Sequence, residues 1–330
     1  MPTVDSTIST LERIRIKVRR LTRSPSQAQI TDDEIDLYVN SFVLYDFPAH
    51  VTLSALMTTL TFYAKPNIDT YATTLTDDTD PLYNFSNLYT GVYGPAYIAG
   101  NKAFFTKSRE SFYNEYPLTN MVSSINTGDG VTTNFTGTLD DIPVLQNNVL
   151  FSSVDTNNDP LTLIDVPTGT ATGNIIEAND TGTVLGTINY ITGVYDITFP
   201  VAPLADQDID SQTVPYIKGK PSALLYSDNE FVIRPVPDQP YRVTVEAQIR
   251  PDALLAGASV PEMSRWWEYI ALGTAKKVFE DRMDMDSVSM IMPEFKKQEL
   301  LVLRPTHLNQ SSERVATIFT ERNRRLVNGI

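Results

Sequence analysis

The run Asp155-Thr-Asn-Asn-Asp159 sets oxygen-bearing side chains at alternating positions, as the first half of a calcium-binding loop does. Such a loop also needs glycine at its sixth position and a bidentate glutamate at its twelfth, where this chain has Pro160 and Val166. The run therefore reads as an acidic turn. Gly128 and Gly130 have the spacing of a phosphate loop, but no lysine follows them and no helical pattern opens behind them, so they are turn glycines. Asp140 with Asp141, and Asp206 with Asp208 and Asp210, offer carboxylates in groups. A glycosidase would hold two such groups about 5 to 10 Å apart, yet neighbouring acids in turn-rich sequence are ordinarily solvated loop charge. The two histidines, His50 and His307, cannot build a His-rich metal site within one chain, and a Ser-His-Asp triad would have to use one of them. The absence of cysteine excludes disulfides, thiolate metal sites and cysteine nucleophiles together. These residues predict a protein that is not an enzyme and uses no cofactor or metal.

Composition narrows the remaining classes. The 330 residues exceed the roughly 150 of a single domain, so two domains, or one with a large insert, are expected. Hydrophobic residues make up 42% and charged residues 20%, enough apolar material for a folded core. A net charge of −14 opposes general binding to phosphate backbones. No run approaches the roughly 18 apolar residues of a membrane span, and the amino terminus lacks the pattern of a signal peptide, so a soluble protein is expected.

The elements begin with Leu11, Ile14, Val18 and Leu21, whose spacing of three and four predicts a helix over 9–23 that ends before Pro25. Its other faces carry Arg13, Arg15, Lys17, Arg19, Arg20 and Arg23 against Glu12 alone. Residues 1–30 hold net charge +4, which leaves −18 for the remainder. That asymmetry favours docking on an acidic protein surface over a grip on DNA, although a solvated face is the usual fate of such charge. Thr31 and Glu34 form a capping box that opens a second helix through Ile35, Val39 and Phe42 to about Tyr45, where Asp46-Phe-Pro48 should stop it.

Alternating residues near 58–64 and 97–105 predict strands, and 107–117 a short helix. From 121 to 215 the composition shifts to Thr, Asn, Asp and Gly, with a hairpin turning at Thr192-Gly193. Strands are then predicted over 223–226, 230–234 and 242–249. Ser259 and Glu262 read as a second capping box, opening a helix whose inward stripe is Met263, Trp267, Ile270 or Ala271, Thr274 and Val278. A last helix should run from near Pro293 to Arg304, followed by an extended tail.

Two segments carry a resemblance. The stretch KPSALLYSDNEFVIRPVPDQPYRVTVEAQIRPDALL, followed by PEMSRWWEYIALGTAKKVF, resembles the C-terminal half of tailed-bacteriophage head-to-tail connector proteins, the adaptor or tail tubular A class of ring subunits. The stretch from GDGVTTNFTGTL to GTINYITGVYDITFPVAPL resembles small β-sandwich modules inserted in phage virion proteins. The fold implied is α+β: a helical connector core with antiparallel β structure and an inserted β-sandwich domain. Its parts would be 1–120 and 216–304 as the two halves of the core, 121–215 as the insert and 305–330 as a C-terminal arm.

The function implied is that of a structural virion protein: a ring of twelve copies beneath the portal, joining capsid to tail and lining the DNA channel. It would be assembled in the host cytoplasm and reside in the virion neck. Its partners would be other copies of itself, the portal protein, the tail or next neck protein, and genomic DNA that passes without specific binding; no membrane is involved. Arg13, Arg15, Lys17, Arg19, Arg20, Arg314, Arg322, Arg324 and Arg325 would dock on the portal or a neighbouring ring. Trp266, Trp267 and Tyr269 would pack subunits together. Two rivals are a tail or baseplate module binding host surface glycans through tyrosines of 71–97 and the acidic insert, and a carboxylate-dependent depolymerase.

Overall fold

The computed structural model describes residues 9–50, 56–74, 82–179 and 182–310. It is a mixed α+β protein, 28% helix and 36% strand. The chain divides into two compact units, one formed by Met1–Thr58, Asn87–Gly91 and Ala247–Ile330, the other by Thr59–Ser86 and Val92–Glu246.

The first unit is helical. Its helices are α1 (Leu11–Leu21), α2 (Asp32–Ser41) and α3 (Phe47–His50) near the start of the chain. Two short helices lie elsewhere, Phe85–Leu88 (α4) shared between the units and Arg109–Glu115 (α5) in the second, and α6 (Trp267–Asp281) and α7 (Met285–Gln310) complete the first unit. Thr10 caps α1 through its hydroxyl, and Thr31 and Glu34 make the predicted capping box on α2. The predicted stop at Asp46-Phe-Pro48 is not where the helix ends. Phe42–Asp46 forms a π-helical turn in which the Phe47 N–H reaches back to the Phe42 carbonyl, and α3 continues through Pro48. The wider turn changes the register, so proline enters at the start of a new helical segment, where a missing N–H is tolerated.

The second predicted capping box does not form. Ser259 accepts the Ala256 N–H with its hydroxyl, while the carbonyls of Ser259 and Gly257 take the N–H groups of Leu11 and Glu12 at 2.9 and 3.0 Å. The loop thus satisfies free donors at the start of α1, and α6 begins only at Trp267 after a short 3-10 turn. The last helix begins eight residues before Pro293, because Asp284 caps it by accepting the Ser287 N–H at 3.1 Å. It continues through Pro305 to Gln310, into the stretch expected to be extended. Neither proline outweighs the packing of Val288, Ile291, Phe295 and Val302 on the core.

That core is aromatic at its centre. Tyr269 stacks on Phe295 at 4.9 Å between ring centroids and meets Phe42 edge-on at 5.4 Å. Between Tyr269 and Ala275 helix α6 is buried all round, which only a helix at the middle of a bundle can be. Gly273 permits this, since a Cβ there would collide with the Phe42 ring.

The second unit is built from two main sheets. One is a curled mixed sheet of seven strands in the order Met57–Ala64, Tyr241–Ile249, Tyr89–Ile98, Asn101–Thr106, Ala223–Ser227, Glu230–Arg234 and Thr70–Ala72. Ala223–Ser227 runs parallel to Asn101–Thr106 and antiparallel to Glu230–Arg234. The Arg234 guanidinium closes one end of this sheet on Asp69, at 2.6 Å with both side chains almost fully buried.

The other sheet takes its eight strands from Met121–Thr127 to Asp208–Thr213. It is a single antiparallel ladder curled until nearly closed, like a barrel. Alternating burial, as in Pro160–Pro167, points one set of side chains inward onto Phe151, Leu163, Ile175, Ile197 and Phe199. The hairpin predicted at Thr192-Gly193 is present. Gly193 has φ 71°, and the Asn189 side chain accepts the N–H groups of Ile191 and Thr192.

Candidate docking groove on the helical unit

The basic residues of α1 fall into two sets once the helix is oriented. Burial of Leu11, Ile14 and Val18 fixes the inward face, and at about 100° per residue Arg15 and Arg19 lie on one flank of it while Arg13, Lys17 and Arg20 lie opposite. The flanking pair is used inside the subunit. Arg15 grips both carboxylate oxygens of Asp36 on α2, with Nε to Oδ1 at 2.7 Å, and reaches Glu12 at 3.2 Å. The hydrogen bonds it donates to Asp36 raise the already high pKa of this guanidinium. Arg19 meets Asp32 at 2.6 Å and donates to the carbonyl of Ile30 at 2.8 Å. Both arginines tie α1 to α2, Arg19 also to the segment that leads into it, and are not free to dock, which corrects the expectation for these two positions.

The opposite set is open. Arg13, Ile16, Lys17 and Arg20 line a groove of about 300 Å³ with the Trp267 side chain at the start of α6. Lys17 has a loose surface contact with Glu268 at 3.6 Å, worth little in water. Among the described residues Arg13 and Arg20 make no ion pair. Three cations above an isoleucine and an indole make a surface suited to an acidic partner that also carries an apolar tip. The spacing 13, 17, 20 was visible in the sequence. What it could not give was the orientation of α2, which claims Arg15 and Arg19.

Trp266 and Trp267 are both half-buried and rest on the helical core with part of each indole exposed. Tyr269 is not a subunit-packing residue. It is 2% exposed, enclosed by Phe42, Phe47 and Phe295 of its own chain, and burial pushes its hydroxyl pKa up. Arg314, Arg322, Arg324 and Arg325 lie outside the described residues.

Of the remaining chemical candidates, Asp155 and Asp129 are hydrogen-bonded into turns, and Asp208 and Asp210 lie in the strand Asp208–Thr213. Asp155 accepts the N–H groups of Asn157 and Asp159 at 2.7 and 2.9 Å, closing the turn between two strands. Asp129, between Gly128 and Gly130, accepts the Val131 N–H and both the N–H and hydroxyl of Thr132, which lower its pKa to about 2. Asp140 accepts the Ser123 hydroxyl at 3.0 Å, and Asp206 sits at φ 61° in a turn. Among the described residues no group of three His, Asp or Glu side chains is placed to share a metal ion.

Sequence reasoning missed Asp165. It is buried inside the barrel-like sheet, accepts the Asn147 and Val149 N–H groups at 2.7 and 2.9 Å, and receives the Tyr190 hydroxyl at 2.8 Å. Burial nevertheless raises its pKa, and the pKa of Tyr190 is raised by burial and by Asp165. No protein-family model matches the chain, and no curated protein matches it.

Proposed function

We propose that this chain is a structural ring subunit of a phage neck, a head-to-tail connector that joins portal to tail and leaves an open channel for the genome. The observation that carries the reading is the surface of the helical unit. Leu37 on α2, Tyr45 in the turn after it, and Met290, Leu300 and Leu301 on α7 are exposed, Leu37 and Met290 at 68% and 75%. A helix of 26 residues that buries one stripe and shows a second apolar set to solvent suits a subunit with neighbours better than a monomer. The groove of Arg13, Lys17 and Arg20 adds a polar handle of opposite sign to the chain's net charge of −14. Heterologous contacts of this kind close into rings when their rotation permits. The acidic balance of the remaining surface would keep passing DNA from adhering. Native mass spectrometry with negative-stain microscopy, with and without the portal of the same virion, tests the reading. A closed ring, alone or on the portal, is the expected result, and a monomer or trimer indifferent to the portal overturns it.

One observation favours the glycan-binding alternative. A cleft of about 470 Å³ in the second unit is lined by Asn120, Asn147, Asn148 and Gln212 beside Asp165, the amide and carboxylate chemistry that sugars engage. Tyr71 contributes little to that reading, since its hydroxyl is held by Lys65 and Ile68 backbone groups. Binding of the monomer on a glycan array would support the alternative.

A further inference from the structure

The groove lies at the N-terminal end of α6, and a surface of complementary chemistry lies at the other end of the same helix. Residues 280–286 read Glu-Asp-Arg-Met-Asp-Met-Asp, four acids against one base. They form the corner between α6 and α7. At 1.5 Å per residue the two ends of α6 are about 21 Å apart, so the corner lies away from the Trp267 end of the groove in its own copy.

The corner is built in a costly way. Helix α6 ends in a Schellman turn, with the Asp284 N–H on the Phe279 carbonyl at 2.9 Å and the Met283 N–H on the Glu280 carbonyl at 3.0 Å. That turn needs a left-handed residue, usually glycine, and here it is Met283 at φ 56°. Met283 is also 86% exposed, and Met285 beside it 64%. A side chain that strains the backbone and buries nothing in its own fold is a candidate for contact with something else. Asp284 stays charged because the Ser287 hydroxyl and N–H hold its pKa down. Asp286 is exposed.

We infer that the α6–α7 corner of one copy seats in the α1–α6 groove of the next. Met283 lies against the Trp267 indole, and Asp284 and Asp286 face Arg13, Lys17 and Arg20. The occupant is a second copy of this chain because the corner supplies what the groove lacks: acids for three cations and a flexible thioether for an indole, a pairing that favours contact. Donor and acceptor surfaces lie at opposite ends of one rigid helix, so the contact is head-to-tail and propagates from copy to copy. The inference rests on the reading of the chain as a ring subunit and names the interface that would build the ring.

The test exploits the absence of cysteine in the chain. In the full-length protein, Ile16→Cys with Met283→Cys should give a reducible ladder of disulfide-linked copies under mild oxidation, whereas neither single variant should. A disulfide needs Cα atoms within about 7 Å, and a ladder of linked copies, as opposed to an internally bridged monomer, would place that bond between copies. Arg13→Glu with Arg20→Glu, and separately Asp284→Asn with Asp286→Lys, should each weaken assembly at least about tenfold by native mass spectrometry. Mixing the two variant proteins leaves one intact groove and one intact corner, so heterodimers should form and grow no further. Met283→Gly should raise the melting temperature of the monomer while weakening assembly, opposite signs that a merely structural residue would not produce.

Rings that form without the disulfide ladder and ignore both charge variants overturn this contact and leave the ring reading standing. Linked open chains that never close support the contact and overturn the ring. A chain that neither links nor assembles, with or without the portal, overturns both.

Discussion

Replacing Arg15 by Met should destabilise the helical unit, whereas the same change at Arg20 should not. Arg15 and Asp36 are 16% and 18% exposed and share two charge-assisted hydrogen bonds. A fully exposed pair contributes at most about 1 kcal/mol, and breaking a fully buried one costs about 3 to 5 kcal/mol. This pair sits between those limits, so Arg15→Met should cost about 2 to 3 kcal/mol, most of it from the Asp36 carboxylate left half-desolvated. The Glu12 contact adds little, because that carboxylate is 58% exposed. The two tryptophans of the chain, Trp266 and Trp267, both lie in the helical unit, so urea unfolding followed by their fluorescence reports on that unit alone. With an m-value near 2 kcal/mol/M the midpoint should fall by about 1 M. Arg20→Met, at an exposed position, should stay within about 0.5 kcal/mol of wild type. If Arg15→Met leaves the midpoint unchanged, or Arg20→Met lowers it equally, the division of α1 into bracing and docking cations is wrong.

Asp69→Ala should cost about 3 to 5 kcal/mol in the second unit, because Arg234 would remain buried without its partner; the double variant with Arg234→Met should recover much of the loss, measured by circular dichroism melts. Gly273→Ala should cost about 1 to 3 kcal/mol through collision with Phe42, read by the same fluorescence assay. Burial raises the pKa of Tyr71, Tyr190 and Tyr269 above the ordinary value near 10. The folded chain thus keeps protons that the unfolded chain releases, and stability should fall as pH rises through about 10. Absorbance at 295 nm should then show these tyrosines ionising together with unfolding, and independent ionisation of a still-folded protein would contradict their burial.

Local signals in the sequence were legible where the partner lay nearby along the chain. Thr31 and Glu34 find each other within one turn, and Asn189 with Gly193 settles its hairpin without outside help. Ser259 and Glu262 carry the same capping signature, but the Ser259 carbonyl is taken by Leu11, some 250 residues away in sequence. Pro293 read as a helix start because proline is favoured there, while the Asp284 cap was hidden in an acidic run. Alternating residues in 121–213 fit a sandwich and a curled barrel equally well, since both bury every second side chain. In the groove, the spacing of Arg13, Lys17 and Arg20 was visible, but its meaning depended on where Trp267 and Asp36 came to lie.

The central claim, that this is a ring-forming subunit, is tested most directly by native mass spectrometry of the purified chain, alone and mixed with the portal of its virion. A discrete closed oligomer, present in solution or appearing on the portal and dissolved by raised salt, is the result the account predicts. A monomer or trimer that ignores the portal at every salt concentration would contradict it.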